Sequence, residues 1–218
     1  NVYGDEVQIS VVPVQTLNGT VGQDVLVGSA GSDILDGGSG ADKLFGLAGN
    51  DLMITNNIDF VSIDGGTGQD ALRLTDTGGL VTYNLTGLDI AGIEAIEIDN
   101  AAGASAMTLS VGYNDVVNLS AEANTDLVAA ADGVSLLDGA DYNALDNTVI
   151  SVNAGNTAAT LDLQPGGSGA WQPAASPQVT IGADSFTLYN YVDGASILAT
   201  VAVQAEVTVV GGGGVIYG

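Results

Sequence analysis

Large apolar residues recur at every ninth position between Gly19 and Ile54, in a stretch that otherwise consists mainly of glycine and small or polar residues. Four nine-residue units follow one another there without a gap, and a fifth begins at Gly65 after a ten-residue insert. Each unit has glycine in slots one and four, aspartate in slot six and a large apolar residue in slot eight. The slot-eight residues are Leu26, Leu35, Leu44, Met53 and Leu72.

This pattern predicts a coil of short strands joined by tight turns. Slots seven to nine are expected to form a strand whose middle residue points inward, and the glycines permit the turn before it. Two units make one coil, so Asp24 is predicted to stack on Asp42 and Asp33 on Asp51. Asp70 belongs to a later coil whose neighbour the sequence does not identify.

Carboxylates stacked in this way create a charge problem that a cation solves. Parallel strands repeat at ~4.8 Å, and two carboxylates about 5 Å apart repel by roughly 3 kcal/mol at an effective dielectric of about 20. Carboxylate and carbonyl oxygens form a hard ligand set that suits Ca²⁺ better than transition metals. Several calcium ions are therefore expected. The candidate ligands are Asp24, Asp33, Asp42, Asp51, Asp70, Gly22, Gly31, Gly40, Gly49, Gly68, Gly37, Gly38, Gly65, Gly66 and Asn50.

Short apolar stretches separated by turn residues continue beyond the repeats, with little helical periodicity. They predict strands at 81–85, 93–98, 107–111, 115–119, 134–137, 149–152 and 160–163, with helical turns as the alternative at 113–117 and 142–145. Three of the four prolines fall within 164–177, which predicts a loop. A meander is predicted to follow at 178–181, 186–192 and 197–203, with a last strand at 207–210.

Together these elements predict an all-β chain built as a parallel β-roll or β-solenoid with calcium-binding turns. The expected segments are an N-terminal edge strand or linker (1–18), the calcium-binding roll (19–73), a strand-rich solenoid extension (74–163), and a loop with a C-terminal antiparallel meander cap (164–218).

The charge and composition of the chain limit the classes of molecule that it is expected to bind. The chain has 26 acidic and two basic residues, a net charge of −24, which excludes nucleic acid and argues against anionic membrane surfaces. Hydrophobic residues make up 46% and charged residues only 13% of the chain, so folding is expected rather than disorder. No apolar run is long enough to span a membrane.

The sequence lacks several residue types and motifs that enzymes commonly use. Cysteine and histidine are absent, which removes disulfides, thiol chemistry and the commonest general base. No HExxH or Gly-x-Ser-x-Gly motif occurs, so we expect no enzymatic activity in this chain. The N-terminus has neither an initiator methionine nor the basic and apolar regions of a signal peptide, which predicts a fragment of a longer protein.

The nonads resemble the repeats-in-toxin (RTX) family, whose consensus is GGxGxDxUx. More loosely, residues 92–99, 109–120 and 186–192 resemble the C-terminal region of large bacterial RTX adhesins. The resemblance implies a parallel β-roll, calcium-dependent folding after export by the type I secretion machinery, a C-terminal secretion signal, and a secreted or cell-surface location. Slot two departs from the consensus glycine at Thr20, Ser29 and Leu47, so those calcium turns are expected to be weaker or less regular.

The leading functional hypothesis is a calcium-dependent folding module at the C-terminal end of a secreted or surface-attached bacterial adhesin, whose adhesion target is not identified. The alternative is the RTX tail of a secreted hydrolase or S-layer protein whose functional domain lies upstream. Ice binding by the repeats is disfavoured, because slots three and five show no regular row of threonine or asparagine.

Two groups of residues outside the repeats allow competing interpretations. For Trp171, Tyr189 and Tyr191, core packing is favoured over a ligand-binding aromatic patch. For the acidic residues beyond the repeats, a solvated surface or extra cation sites are favoured over paired-acid catalysis. Those residues are Glu94, Glu97, Asp138, Asp141 and Asp146.

Overall fold

The computed structural model describes residues 13–75, 82–99, 107–119, 149–154, 159–181, 184–205, 207–211 and 214–215. Strands dominate this part of the chain, in agreement with the predicted all-β class. Its one helix, α1 (Tyr113–Leu119), has seven residues. None of the described helical structure is long and apolar enough to cross a membrane.

The repeats form two parallel sheets that alternate along the chain. Successive strands of the repeat region belong alternately to the first and the second sheet, so two units complete one coil. The first sheet contains β1 (Thr16–Asn18), β3 (Ile34–Asp36), β5 (Leu52–Thr55) and β7 (Ala71–Thr75). The second contains β2 (Val25–Val27), β4 (Lys43–Phe45), β6 (Ser62–Asp64) and β9 (Ile90–Ala91).

The slot-eight residues form the predicted apolar column between these sheets. Leu35, Met53 and Leu72 pair in register along the first sheet, and all three are completely buried. Leu44 pairs with Ile63 in the second sheet, so the ten-residue insert keeps the coil and supplies its own inward residue. Alternation of inward and outward side chains explains why one apolar residue per three-residue strand is sufficient.

Beyond the repeats the first sheet continues with more parallel strands and then turns antiparallel. β10 (Ala95–Asp99), β12 (Val149–Ala154) and β16 (Ser196–Gln204) extend it in parallel. β15 (Asp184–Asp193) and β14 (Ala170–Ile181) complete it as an antiparallel meander with β16. The predicted meander is therefore present, and its last strand is also a solenoid strand.

A third sheet packs on the same core. Its parallel strands are β8 (Thr82–Asn84), β11 (Met107–Gly112), β13 (Ala159–Gln164) and β17 (Val207–Gly211), and β18 (Gly214–Val215) adds to β17 in antiparallel orientation. The strand predicted at 207–210 is thus confirmed, and it pairs in parallel with β13 rather than with the meander.

Two local predictions are wrong. Residues 115–119 belong to α1 and not to a strand, in agreement with the alternative of a helical turn at 113–117. Asp115 accepts a hydrogen bond from Gly112 N at 2.8 Å, and Val116 and Leu119 lie buried on one helical face. The loop predicted at 164–177 ends earlier, since β14 begins at Ala170. Pro173 and Pro177 are tolerated within β14 because it is an edge strand. The predicted strand at 134–137 and helical turn at 142–145 lie outside the described residues.

The aromatic residues near the meander pack in the core, as predicted. Trp171, Tyr189 and Tyr191 are at most 8% exposed. Tyr191 stacks on Tyr113 with a 4.2 Å centroid separation and meets Trp171 edge to face at 5.3 Å. Trp171 Nε1 donates a hydrogen bond to the carbonyl oxygen of Gln164 at 3.1 Å. These contacts join α1 to the meander and leave the aromatic rings unavailable as a surface patch.

Candidate metal centre

The slot-six aspartates stack in two columns, as the coil geometry predicts. In the longer column Asp33 N donates to Asp51 Oδ1 and Asp51 N donates to Asp70 Oδ1, both at 2.7 Å. Gln15 N donates to Asp33 Oδ1 at one end, and Asp70 N donates to Glu94 Oε2 at 2.8 Å at the other. The structure thereby identifies the neighbours of Asp70, which the sequence left open.

The second column is shorter. Asp24 N donates to Asp42 Oδ1 at 2.9 Å, which is the predicted pair. The next coil places Val61 at this position, and Val61 N donates to the Asp42 carbonyl oxygen at 2.7 Å. Because valine carries no carboxylate, the column ends after two aspartates.

Backbone carbonyl oxygens of adjacent coils approach the same turns. A methyl group built on Gly28 would lie 2.6 Å from the carbonyl oxygen of Gly46 and 2.8 Å from Asp33 Oδ2. The same pair of groups recurs one coil further: a methyl group on Gly46 would overlap the carbonyl oxygen of Gly65 and Asp51 Oδ2. A carboxylate oxygen and a carbonyl oxygen therefore face the space beside each of these glycines, and a side chain there would fill that space.

The turns fall into two kinds. We call residues 19–24 and 28–33 the closed turns. In the first, Thr20 donates from both its backbone N (2.6 Å) and its Oγ1 (2.9 Å) to Asp24 Oδ2. In the second, Ser29 N donates to Asp33 Oδ2 at 2.5 Å. In both, the slot-two hydroxyl oxygen also accepts a hydrogen bond from the slot-four glycine N at 3.1 Å.

We call residues 37–42, 46–51 and 65–70 the open turns. Their slot-two residues are left-handed, and one of them is not glycine: Leu47 has φ 81°. Their slot-four glycines are also left-handed, with φ between 119° and 134°. In the turn 46–51, Asp51 is 2% exposed and its Oδ2 has no hydrogen-bond partner among the described residues.

The pKa values of Asp33 and Asp51 shift in opposite directions, which agrees with the difference in their hydrogen bonds. Burial raises the pKa of Asp51 to about 6, the charge of Asp33 adds to the rise, and the hydrogen bond from Asp33 N opposes it. Burial also acts to raise the pKa of Asp33, but hydrogen bonds from Gln15 and Ser29 outweigh it and hold that pKa below its ordinary value. Asp51 thus differs from Asp33 in that burial, rather than hydrogen bonding, determines the direction of its pKa shift.

The remaining candidate ligands line the turns through their backbones. The carbonyl oxygens of Gly22 and Gly31 face Gly40 and Gly49 of the next coil, and that of Gly49 faces Gly68. The side chain of Asn50 is not directed at a carboxylate, since its Oδ1 accepts a hydrogen bond from Gln69 N at 3.1 Å. The ligand roles of these residues stay predictions.

Sequence reasoning missed the continuation of the long column to Glu94. Residues 92–97 read Gly-Ile-Glu-Ala-Ile-Glu, which matches slots four to nine of the fifth repeat, Gly-Gln-Asp-Ala-Leu-Arg. Reading glutamate as a replacement for aspartate would have found this half unit. Its presence also explains the parallel pairing of β10 with β7.

Two acidic residues outside the repeats, Glu94 and Glu97, are buried and not part of a solvated surface, so that part of the interpretation is wrong. The other part, extra cation sites, stays a prediction. Glu94 is 4% and Glu97 is 6% exposed. Arg73 Nε donates to Glu97 Oε2 at 2.6 Å, the only salt bridge within the described residues. Asp138, Asp141 and Asp146 lie outside the described part of the chain.

The donor set fits calcium. The groups that meet at the open turns are carboxylate and carbonyl oxygens, the ligands Ca²⁺ prefers, and Asp51 Oδ2 is a buried anionic oxygen that lacks a partner within the described residues. No three acidic side chains gather at one point in the described ranges. An ion here would therefore draw on two aspartates of adjacent coils and on backbone carbonyls.

Comparison with known proteins supports the same assignment. A family model for the RTX calcium-binding nonapeptide repeat, in four copies, matches residues 18–53. Searches of curated proteins and of solved structures found no match. RTX repeats bind calcium and occur in proteins exported by type I secretion. Residues 18–53 of this chain are thus a segment of RTX calcium-binding nonapeptide repeats.

Proposed function

We propose that this chain is a calcium-dependent folding module of a secreted or surface-attached bacterial adhesin. It leaves the cytosol unfolded through the type I secretion machinery and folds when it meets external Ca²⁺. The observation that carries the proposal is Asp51, a buried carboxylate stacked between Asp33 and Asp70 with one oxygen that has no hydrogen-bond partner among the described residues.

Repulsion between the stacked carboxylates of the long column supports a calcium-dependent folding switch. Each pair of neighbouring carboxylates costs roughly 3 kcal/mol at an effective dielectric of about 20, and a folded domain is stable by only about 5–15 kcal/mol. Repulsion within two such pairs, Asp33 with Asp51 and Asp51 with Asp70, is thus comparable to the whole stability of the roll. A bound Ca²⁺ supplies the positive charge and the missing oxygen partner, so binding free energy becomes folding free energy.

External calcium is concentrated enough to occupy such sites. Calcium sites of extracellular modules have dissociation constants of about 10⁻⁴–10⁻³ M. Calcium at about 1 mM is about 1–10 times these constants and stabilises the folded state by about 0.4–1.4 kcal/mol per site. In the calcium-poor cytosol this contribution vanishes, and the chain keeps the unfolded state that export requires.

The test is unfolding of the full chain with calcium, with magnesium and with EDTA. We expect far-UV circular dichroism to show β structure with cooperative melting in millimolar calcium, and loss of both in EDTA. Magnesium should not replace calcium, because it requires tighter octahedral geometry and gives up its water reluctantly. A melting temperature that is equal in calcium and in EDTA would refute the proposal.

The adhesin assignment is supported by the looser resemblance of residues 92–99, 109–120 and 186–192. An RTX tail of a secreted hydrolase or an S-layer protein would respond to calcium in the same way. The domains encoded together with this segment separate these cases: tandem immunoglobulin-like repeats support the adhesin, whereas a catalytic domain supports the hydrolase.

A further inference from the structure

In the closed turns, hydrogen-bond donors of the protein occupy the oxygens of the slot-six aspartate. In the open turn 46–51, Asp51 Oδ2 has no such donor among the described residues. Asp24 Oδ2 accepts hydrogen bonds from Thr20 N and Thr20 Oγ1. A carboxylate oxygen offers about two lone-pair positions, so these two donors occupy the oxygen fully. An ion that used Asp24 Oδ2 would first have to break both bonds.

The carboxylate oxygens of Asp33 likewise accept hydrogen bonds from the protein. Its Oδ1 accepts from Gln15 N and its Oδ2 from Ser29 N, both at 2.5 Å. The hydroxyl of Ser29 is itself engaged, because it donates to the Pro13 carbonyl oxygen and accepts from Gly31 N, both at 3.1 Å. Both oxygens of this buried carboxylate therefore have short hydrogen bonds to backbone N–H groups.

The turn 46–51 differs at the same slots. Its slot-two residue, Leu47, has no hydroxyl and adopts φ 81°, a conformation that is costly for a residue with a branched side chain. Asp51 Oδ2 is buried without a hydrogen-bond partner in the described structure, and the carbonyl oxygen of Gly65 faces the same space beside Gly46. Asp70, one coil further, accepts from Asp51 N.

We propose that the repeats divide by function: Asp51 and Asp70 form a calcium site at the open turn 46–51, whereas the closed turns 19–24 and 28–33 take no calcium because Thr20 and Ser29 supply the donors. This inference rests on the proposed calcium-dependent folding. It goes beyond the family match, which treats all four repeats within residues 18–53 as calcium-binding.

A matched pair of substitutions in the full chain tests this division. Asp51→Asn and Asp24→Asn change the same slot in the same way, and isothermal titration calorimetry counts the calcium ions bound. We expect Asp51→Asn to lose one ion and most of the calcium-induced rise in melting temperature. Asp24→Asn should bind as many ions as the wild type. Loss of an ion in Asp24→Asn would overturn the division.

A second variant covers the case in which Asp51→Asn does not fold. The double substitution Thr20→Gly and Ser29→Gly restores the consensus glycines and removes the hydroxyls, and should raise the number of bound calcium ions by at least one. An unchanged count would overturn the inference. A wild-type chain that binds no calcium would instead refute the proposed function itself, so the two failures are distinguishable.

Discussion

The turns 28–33 and 46–51 stand one above the other in the same column, yet they treat their aspartates differently. Asp33 accepts short backbone hydrogen bonds on both oxygens. Asp51 is equally buried, but its Oδ2 has no hydrogen-bond partner among the described residues. The slot-two residue accounts for the difference, because Ser29 keeps the chain out of the left-handed region while Leu47 enters it. In the proposed division, a repeat thus keeps its aspartate without needing an ion.

The far end of the stack shows a third solution to acidic crowding. Beyond Asp70 and Glu94, the buried Glu97 pairs with Arg73 on the neighbouring strand. The protein therefore neutralises its carboxylates with backbone and hydroxyl donors at one end and with an arginine at the other. Between these ends, the proposed calcium site at Asp51 and Asp70 supplies the positive charge. The proposed division thus confines the calcium requirement to the middle coils.

The largest expected effect comes from the slot-four glycines, which differ between the two kinds of turn. In Gly49→Ala the methyl group would lie 2.6 Å from the carbonyl carbon and oxygen of Gly31, at φ 119°. A left-handed alanine costs about 1–2 kcal/mol and overpacking about 1–3 kcal/mol, so we expect a loss of about 3–4 kcal/mol by denaturant unfolding in calcium.

The matched control is Gly22→Ala in a closed turn. There the nearest atom to the new methyl group is Thr20 Oγ1 at 3.7 Å, and the backbone is not left-handed. We expect a change of less than about 0.5 kcal/mol. Equal losses in the two variants would mean that the turns have the same conformation in solution, which would contradict the comparison.

Next in size is the arginine at the end of the stack. Arg73→Leu leaves the Glu97 carboxylate, 6% exposed, without its cation, and we expect a loss of about 2–3 kcal/mol. Saturating calcium should not restore the lost stability, because the salt bridge lies outside the calcium turns. Lys43→Leu is the control, since Lys43 forms no salt bridge in the described structure. Full rescue of Arg73→Leu by calcium would place the calcium requirement beyond the middle coils.

Replacing slot two by glycine should have opposite signs in the two kinds of turn. Leu47→Gly relieves a left-handed conformation worth about 1–2 kcal/mol and adds unfolded-state entropy of about 0.5–1 kcal/mol, so it should stabilise by up to about 1 kcal/mol. Thr20→Gly removes hydrogen bonds worth about 1 kcal/mol and should destabilise. Urea unfolding at a fixed calcium level just sufficient for folding measures both. The same sign for both would remove the distinction.

The smallest expected effect comes from competition between a proton and calcium for the Asp51 carboxylate. The pKa of Asp51 is raised to about 6, so below that pH the folded, calcium-free turn holds a proton that the ion must displace. Between about pH 7.5 and about pH 5.5 the calcium dissociation constant should rise about fourfold. Asp24→Asn should keep this dependence and Asp51→Asn should lose it in calorimetric titrations. A flat profile in the wild type would mean that Asp51 is not a ligand.

Periodicity was sufficient to predict the roll. A fixed apolar residue at slot eight and two units per coil give the core column, the pairing of Asp24 with Asp42, and that of Asp33 with Asp51. Past residue 73 the spacing between equivalent positions becomes unequal, and the sequence no longer reveals the register. Thr82, Thr108, Thr160 and Thr208 align across the third sheet, a row that no fixed period could indicate.

The consensus also hides the difference between the turns. Glycine and aspartate occupy slots four and six in every repeat, so the pattern assigns the same chemistry to Asp24, Asp33 and Asp51. In the closed turns the slot-two residue donates its backbone N–H to the aspartate, whereas in the turn 46–51 the slot-two residue is left-handed and Asp51 Oδ2 has no hydrogen-bond partner among the described residues. These differences become visible only in three dimensions. The pattern did not predict Glu94 as a member of the column for a related reason. Its half unit keeps the spacing of the repeat but has glutamate in place of aspartate.

The most direct test of the account is a crystal structure of the full chain grown with calcium, with the ions located by anomalous scattering. We predict an ion between Asp51 and Asp70 that contacts Asp51 Oδ2, and no ion at Asp24 Oδ2 or Asp33 Oδ2, where the hydrogen bonds of Thr20 and Ser29 persist. Ions at all five turns, or none at Asp51, would contradict it.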